Sequence, residues 1–363
     1  MSTSTVPFGD LGREYAAIRA EVDAAVAAVL ARGRFLLGEE GEGFEREFAE
    51  WLGVEHVVAC ASGTEALALA LLALGVGPGD EVLLPANTCV PTATGIRMTG
   101  ATPVPVDIDP ATLMMDPARA RAAVARRTRA VIPVHLYGSP ADLAPLLQLG
   151  VPVVEDCAQA HGARYAGRKV GTFGVLACFS FYPSKNLGAY GDAGAVATSD
   201  AALAKQLRML RQYGQRTRYV HEIQGLNSRM DELQAAILRV KLRHLEAWNR
   251  RRAEVAAIYA REVRGVQIPA VTAGGESAHH LFPVLSDRRD ELLAHLGRRG
   301  VTALIHYPVP LHLQPSYRTW GLGPGAFPVA EAAAGRLVSL PLFPQLTEAE
   351  IAAVVSAVLE FHG

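Results

Sequence analysis

A lysine that follows an apolar stretch is the residue of this chain best suited to covalent chemistry. Lys185 comes after the run Val175–Phe181 and stands in a glycine-rich bend that includes Gly188. A lysine in apolar surroundings tends to lose its proton, and the neutral amine is then a nucleophile toward carbonyl groups. Because a lone lysine in a loop is usually solvated and idle, Lys185 indicates chemistry only if other groups join it.

Acidic residues end a second apolar stretch. Glu155 and Asp156 close the run that begins at Val151. A carboxylate at the end of a buried strand is costly to desolvate unless it meets a cation. Asp156 is therefore a candidate partner for a positively charged ligand atom. The alternative is that Asp156 caps the next helix, and for His161 nearby a structural role is favoured.

A run of small residues is the third candidate. Ser62-Gly63-Thr64 lies between an apolar stretch and a helical one, where small side chains let an anion approach the amides at a helix start. The alternative is a plain helix cap, since Ser and Thr are favoured there. Taken together, a phosphate cradle, a carboxylate and a poised lysine are what pyridoxal 5′-phosphate requires.

Short apolar runs that alternate with helical stretches position these groups. The alternation occupies residues 54–200 and favours an α/β fold with a mostly parallel sheet and right-handed crossovers. Ligands of such sheets lie beyond the carboxyl ends of the strands, where all three candidates fall. The predicted strands are His56–Cys60, Glu81–Pro85, Thr102–Asp107, Ala130–His135, Val151–Glu155, Val175–Phe181 and Ala193–Thr198; the predicted helices are Thr64–Leu74, Thr92–Thr99 and Ala201–Tyr213.

The two ends of the chain have different patterns. Apolar residues in steps of three and four predict an amphipathic helix over residues 11–30. Residues 231–264 predict one long helix or two in series, and residues 266–363 are shorter and mixed. We predict a large cofactor-binding domain over residues 1–245 and a small C-terminal domain over residues 246–363.

Composition excludes several classes of function. The chain has 363 residues, 50% of them hydrophobic, and a formal charge of −1 without a basic block, which argues against nucleic-acid binding. The longest uncharged apolar run, Ala66–Val76, is too short to cross a membrane. Residues 1–10 do not resemble a secretory signal, and four scattered cysteines predict a reduced, cytoplasmic protein without a disulfide frame or a metal site.

Four ordered motifs resemble the nucleotide-sugar aminotransferases of the DegT/StrS type. They are Ser62-Gly63-Thr64, Glu155–Gly162, Ser180–Gly188 and Asn227–Ala236, and the match runs from about residue 6 to the C-terminus. The resemblance implies an aspartate-aminotransferase-like fold (fold type I), with a mostly parallel central sheet in the large domain and a smaller C-terminal α+β domain. It also implies pyridoxal 5′-phosphate as cofactor and a homodimer with active sites at its interface.

The resemblance further implies the catalytic core. Lys185 would be the lysine joined to the cofactor aldehyde, and Asp156 would pair with the pyridine nitrogen. Gln159 would contact the hydroxyl group of the ring. An amino-acid donor, expected to be L-glutamate, would displace Lys185, whose freed amine would then move a proton between the donor and the cofactor. Ping-pong kinetics should follow.

The resemblance also implies which residues contact the cofactor phosphate, and this chain departs from the family at one position. Gly63, Thr64 and Ser180 would hold the cofactor phosphate, and Asn227 would reach the phosphate in the neighbouring subunit. For Asn227 the alternative is a cap on the following helix. Where the family commonly has an aromatic residue over one face of the ring, this chain has Cys89, which offers less stacking area. We assign Cys89 no catalytic role.

Two stretches narrow the substrate class. Gly225–Asn249 and Ile305–Gln314 resemble the branch that aminates dTDP-linked 3-keto-6-deoxyhexoses. His306, Tyr307 and His312 would contact the sugar, while for the two histidines the alternative is a satisfied polar residue in a loop. The predicted reaction gives a dTDP-3-amino-3,6-dideoxyhexose.

Two other functions stay open at this point, and a third is disfavoured. One is amination at C4 of the sugar or of a keto-inositol, and another is a non-catalytic, cofactor-binding regulator. A related dehydratase branch has histidine in place of the lysine, so Lys185 argues against it.

Overall fold

The computed structural model describes residues 5–362. Residues 1–4 and residue 363 lie outside that range. The predictions for residues 1–10 and for the domains 1–245 and 246–363 therefore extend beyond the described residues at these two ends. The helices are α1 (Leu11–Arg32), α2 (Glu39–Leu52), α3 (Gly63–Ala73), α4 (Val90–Met98), α5 (Pro117–Ala123), α6 (Leu143–Leu146), α7 (Ala201–Leu210), α8 (Glu232–Leu242), α9 (Leu245–Glu262), α10 (Arg289–Arg298), α11 (Pro328–Ala334) and α12 (Glu348–His362).

The strands follow the predicted alternation with the helices. They are β1 (His56–Cys60), β2 (Glu81–Pro85), β3 (Thr102–Val106), β4 (Thr128–Val131), β5 (Val154–Asp156), β6 (Arg164–Tyr165), β7 (Arg168–Lys169), β8 (Leu176–Ser180), β9 (Gly194–Thr198), β10 (Gln215–Thr217), β11 (Val220–His221), β12 (Gly275–Glu276), β13 (Phe282–Leu285) and β14 (Leu337–Leu340). Short 3-10 turns cover Leu136–Gly138, Leu311–Leu313 and Pro315–Trp320.

A mixed, mostly parallel sheet forms the centre of the molecule. Strand β2 pairs in parallel with β3 and β4, and β5 pairs in parallel with β8. Parallel bridges Val131–Val153 and Val134–Asp156 join the two groups, giving the order β3-β2-β4-β5-β8-β9-β1 within the described residues. Strand β9 runs antiparallel to both of its neighbours. The predicted α/β fold is confirmed.

Both faces of this sheet are buried, which explains its continuous apolar strands. In β8, Leu176 and Cys178 belong to one core cluster, while Ala177 and Phe179 belong to another on the opposite face. The side chains alternate because the period of a strand is two residues. Buried residues of helix α3 belong to the first cluster. Because the helix is packed in this core, its N-terminus is fixed at the edge of the sheet.

A third core lies in the C-terminal part of the chain. It contains Val255 and Tyr259 of α9 together with residues of β13, β14, α10 and α12, and Val6 joins it from the N-terminal segment. Leu245, at the start of α9, belongs to the core of the large sheet instead. Helix α9 therefore connects two cores, and the domain boundary at residues 245/246 stays a prediction.

The helical stretch that follows the central sheet is divided in two. Residues 231–264 form two helices in series, α8 and α9, interrupted at Arg243 and His244. Over residues 5–362, none of the helices has the combined length and apolar character of a membrane span.

Candidate active site

A cavity of about 660 Å³ opens at the carboxyl ends of the central strands. Strand β5 ends at Asp156, β8 ends at Ser180, and Ser62 follows the end of β1. Parallel strands bring such ends to one edge of a sheet, which is why residues far apart in sequence meet here. The predicted residues that line the cavity are Gly63, Thr64, Asp156, Gln159, Ser180, Lys185, His306 and Tyr307.

The start of α3 forms one wall of the cavity. Ser62 caps this helix, and its hydroxyl accepts a hydrogen bond from the Glu65 amide at 3.2 Å. A Cβ atom at Gly63 would lie 2.5 Å from Cβ of Ser180, so only glycine allows this approach. The first amides of a helix have no carbonyl partner within it, and Gly63 and Thr64, the first two residues of α3, line the cavity. The Ser62 cap is therefore observed, and it leaves room for the predicted contact of Gly63 and Thr64 with an anion, which stays a prediction.

Asp156 is a buried carboxylate held by two donors. Its Oδ2 accepts from the Thr92 hydroxyl at 2.9 Å, and its Oδ1 accepts from the Ala158 amide at 3.1 Å. Burial raises the pKa of Asp156, while the two hydrogen bonds and the charge of Lys185 act in the opposite direction. A cationic ligand atom facing Asp156 would remove the cost of keeping this carboxylate ionised.

Lys185 is one of four lysines in the chain and differs from the other three in its surroundings. Lys169 pairs with Glu246, Lys205 is exposed on α7, and Lys241 pairs with Glu14. Of the lysines within the described residues, only Lys185 lines the cavity. Burial lowers the pKa of Lys185, opposed by the charges of Asp156 and Cys89. The amine is thus shifted toward its neutral, nucleophilic form.

Gln159 connects the sheet edge to the C-terminal part of the chain. Its Oε1 accepts from the Tyr137 amide at 2.6 Å, and its Nε2 donates to the Tyr307 hydroxyl at 3.1 Å. The Tyr137 hydroxyl in turn donates to the carbonyl of His306 at 2.9 Å. Cys89 lines the same cavity, and burial raises the pKa of its thiol. Tyr307 and Cys89 therefore both border the space open to a ligand.

His306 is held in place on both sides. Its ring stacks on Phe8 with centroids 5.4 Å apart, and its Nδ1 lies 3.0 Å from the Ser339 hydroxyl. Burial, together with the charge of Lys185, lowers the pKa of His306 to about 4. At neutral pH the imidazole is uncharged, so it can donate or accept hydrogen bonds toward a polar ligand.

The structure does not bring His312 and Asn227 to the cavity lining. His312 is buried, with Nε2 at 2.9 Å from Oε1 of Glu331, which is the satisfied loop residue that the sequence left as an alternative. Asn227 is exposed, and Asp231 rather than Asn227 occupies the cap position of α8. The predicted ligand contacts of both residues stay predictions.

Several residues in or near the cavity were not identified as candidates from the sequence. Thr92, Phe8, Glu14 and Arg252 all line the cavity, yet they come from α4, the N-terminal segment, α1 and α9. Ser228, next to Asn227, is buried and bonded to the Ala61 amide at 3.2 Å and to Glu65. Because these contacts are long-range, no local motif predicts them.

One buried cluster has the composition of a metal site. The ligand atoms of His135, Glu155 and Cys157 lie within 4.8 Å of one another. Glu155 already accepts from the amides of Gly171, Phe173 and Gly174 at 2.7–2.8 Å and lies 3.1 Å from Nε2 of His135. The cluster therefore fastens the 171–174 loop to the sheet.

The groups around the cavity suit pyridoxal 5′-phosphate. A glycine-lined helix start suits its phosphate, a buried carboxylate suits its pyridinium, and a lysine shifted toward its neutral form suits its aldehyde.

Comparison with known proteins agrees with this chemistry. The model of the DegT/DnrJ/EryC1/StrS aminotransferase family matches residues 16–359. The chain is 49% identical to a dTDP-3-amino-3,4,6-trideoxy-alpha-D-glucose transaminase of Streptomyces venezuelae, over 99% of this chain and 97% of the relative. It is 50% identical to the erythromycin biosynthesis sensory transduction protein EryC1 of Saccharopolyspora erythraea, over 94% and 95% of the two chains.

The fold matches solved structures equally well. The crystal structure of DesV from S. venezuelae, in complex with a ketimine intermediate, superposes with a TM-score of 0.96 at 49% identity and covers 98% of each chain. A more distant neighbour, Spr1654 of Streptococcus pneumoniae, has been solved in a PMP form and a PLP form, which superpose with TM-scores of 0.88 and 0.89 at 25% and 26% identity.

Proposed function

The chain belongs to the DegT/DnrJ/EryC1/StrS aminotransferase family, and on that premise we propose that it aminates a nucleotide-linked keto-deoxyhexose. Pyridoxal 5′-phosphate is its cofactor. The donor is an amino acid, L-glutamate, and the acceptor is dTDP-3-keto-6-deoxyhexose, which becomes dTDP-3-amino-3,6-dideoxyhexose. The name of the S. venezuelae relative supports the dTDP group and the C3 position.

One observation carries this proposal. Lys185 and Asp156 line the same cavity, and the charge of each shifts the pKa of the other toward the ionised form. An amine and a buried carboxylate that line one cavity can bracket a small cationic ring. The whole cavity has a volume of about 660 Å³, which leaves room for a sugar substrate beside the cofactor.

The residues of this chain have separate tasks in the reaction. Gly63, Thr64 and Ser180 hold the cofactor phosphate, and Asp156 keeps the pyridine nitrogen protonated. When bound, the cofactor supplies an electron sink that no side chain provides. Nζ of Lys185 accepts the proton from the donor carbon and later delivers a proton to the sugar carbon.

His306 and Tyr307, which line the cavity from the C-terminal part of the chain, position the sugar. His306 is uncharged and Tyr307 keeps its proton, because burial lowers the pKa of the first and raises that of the second. Both therefore offer neutral hydrogen-bonding groups to hydroxyls. His312 is bonded to Glu331, so no contact in the structure supports a sugar-binding role for it.

A homodimer is part of the proposal. The β10–β11 hairpin carries Tyr219, which is 78% exposed, and Val220, and Phe35 and Tyr213 are exposed as well. Exposed apolar side chains of this size favour an interface. A second copy of the chain would cover them and would place Asn227 toward the partner's cofactor. The free cysteines agree with a cytoplasmic setting.

A two-step colour assay tests the function. Purified holoenzyme should be yellow, should bleach with L-glutamate, and should regain its colour with dTDP-3-keto-6-deoxyhexose. Lys185→Ala should abolish both changes, whereas Lys205→Ala, which alters an exposed lysine on α7, should leave them intact. A normal turnover rate in Lys185→Ala would overturn the assignment.

Product analysis separates the alternatives. NMR of the products from 3-keto and 4-keto dTDP sugars and from a keto-inositol identifies the aminated carbon. A cofactor-binding regulator is the second candidate, because the 50%-identical EryC1 bears the name of a sensory transduction protein. A regulator need not bleach with glutamate.

A further inference from the structure

A buried guanidinium borders the cavity without a carboxylate partner. Arg252 is 6% exposed, lines the cavity, and forms no ion pair among residues 5–362. Its Nη1 donates to the carbonyl of Leu342 at 2.8 Å, and more weakly to those of His279 and His280 at 3.4 Å. Its Nε is buried and has no acceptor within that described range. A buried charge left in this state is costly, so a ligand anion would stabilise it.

The charges around Arg252 leave that need unmet. Burial lowers the pKa of Arg252 to about 10, so it stays protonated at neutral pH. Glu14 is the carboxylate whose charge acts on it, but Glu14 is already paired with the buried Lys241. The other neighbours are carbonyl groups and His280, which burial and the charges of Lys185 and Arg252 keep neutral.

The position of Arg252 separates it from the phosphate cradle. The cradle is formed by the start of α3 and the end of β8, whereas Arg252 comes from α9 and contacts the segment at Leu342. Arg252 donates to the carbonyl of His280 at 3.4 Å, and the His280 ring lies 3.1 Å from Oδ1 of Asn186, the residue that follows Lys185, so Arg252 lies on the Lys185 side of the cavity. The carbon that yields its proton to Lys185 carries a carboxylate one bond away.

We infer that Arg252 binds a carboxylate of the amino-acid donor. The inference rests on the proposed function, since it assigns the donor subsite of that reaction. A planar guanidinium matches the geometry of a carboxylate. Nη1 donates to protein carbonyls and Nε is sealed from the cavity, so Nη2, which donates to no group among residues 5–362, is the nitrogen available to a ligand. The diphosphate of a nucleotide sugar is the competing anion, but the sugar ring separates it from the reacting carbon.

Calorimetry on the holoenzyme tests this assignment with unreactive anions. Arg252→Met should weaken binding of glutarate by about 10- to 100-fold, the range expected for loss of a hydrogen-bonded charge, and should change binding of dTDP by less than about threefold. Arg250→Met, at an exposed position on the same helix, is the matched control and should change neither. Bleaching by glutamate should slow in parallel with glutarate binding, whereas bleaching by the amino sugar, which lacks a carboxylate, should not.

Two results would overturn the assignment. One is glutarate affinity that stays at the wild-type value in Arg252→Met, and the other is a loss confined to dTDP, which would assign the guanidinium to the diphosphate. If Arg252→Met does not fold, Arg252→Lys keeps the charge but not the planar fork, and unchanged glutarate affinity there also refutes it. Wild-type enzyme that glutamate fails to bleach contradicts the proposed function instead, independently of these ratios.

Discussion

Removal of the Thr92 hydroxyl should shift the titration of Asp156. That hydroxyl donates to Oδ2 of Asp156 at 2.9 Å, and Thr92→Val removes it with almost no change of shape. A hydrogen bond to an ionised group contributes about 1.5–3 kcal/mol, and one pKa unit corresponds to about 1.36 kcal/mol. Because burial already raises the pKa of Asp156, losing this donor should raise it by roughly 1–2 units more.

The pH profile of kcat/KM measures this shift. Asp156 must be ionised to keep the pyridine nitrogen protonated, so the acid limb reports its titration, coupled to that of the ring. We expect the acid limb of Thr92→Val to move toward neutral pH by about one unit or more. Thr92→Ser keeps the hydroxyl and should restore the wild-type profile.

A matched variant separates this effect from loss of stability. Thr99 is also buried, ends the same helix, and bonds its hydroxyl to the Ile96 carbonyl at 2.8 Å, away from Asp156. Thr99→Val should lower stability without moving the acid limb. An acid limb that is the same in Thr92→Val and wild type would refute the role given to this hydrogen bond.

Two further perturbations test the cradle and the N-terminal helix. Gly63→Ala should weaken binding of pyridoxal 5′-phosphate to the apoenzyme by about tenfold or more in an absorbance titration, because the new Cβ would lie 2.5 Å from Cβ of Ser180. Glu350→Gln should lower the free energy of unfolding at pH 7 by about 1–2 kcal/mol, since Arg13 depresses the pKa of Glu350 to about 2 but is 38% exposed. The lowered pKa means that this stability is present above about pH 4.5 and is lost as the pH falls toward 2, so denaturant curves of the two proteins should converge there.

Each of these perturbations has a control. Gly77→Ala places a Cβ no closer than 3.9 Å to the Thr99 carbonyl oxygen and should not affect cofactor binding. Asp23→Asn breaks an exposed pair with Arg19 and should change stability little at any pH. Unaltered cofactor affinity in Gly63→Ala, or a stability difference for Glu350→Gln that persists at pH 2, contradicts the structural reasoning.

The local sequence pattern predicted the presence of the strands more accurately than the residues at which they begin and end. His56–Cys60 and Glu81–Pro85 form strands at the predicted residues, since their apolar runs are bounded by turns. The run predicted at Val151–Glu155 instead forms β5 at Val154–Asp156, which makes Asp156 the last residue of the strand, paired with Val134. Tertiary pairing, rather than local composition, set this end.

In the cavity, too, residues placed by local pattern and sheet topology were predictable, whereas residues placed by tertiary packing were not. Lys185, Asp156 and Gly63 were predictable because each follows or ends a strand of a parallel sheet, and that topology brings them to one cavity. Arg252 and Thr92 were not, because their contacts depend on how α9 and α4 pack against remote segments. The loop after Ile305 was expected to face the sugar, and its first part does line the cavity, whereas His312 turns to Glu331.

Identification of the lysine that carries the cofactor tests the central claim most directly. Borohydride reduction of the yellow holoenzyme fixes the cofactor to its amine, and peptide mass spectrometry then distinguishes the four lysines of the chain. The predicted result is one phosphopyridoxyl group per chain, on Lys185. A label on Lys169, Lys205 or Lys241, or no label at all, would contradict the account.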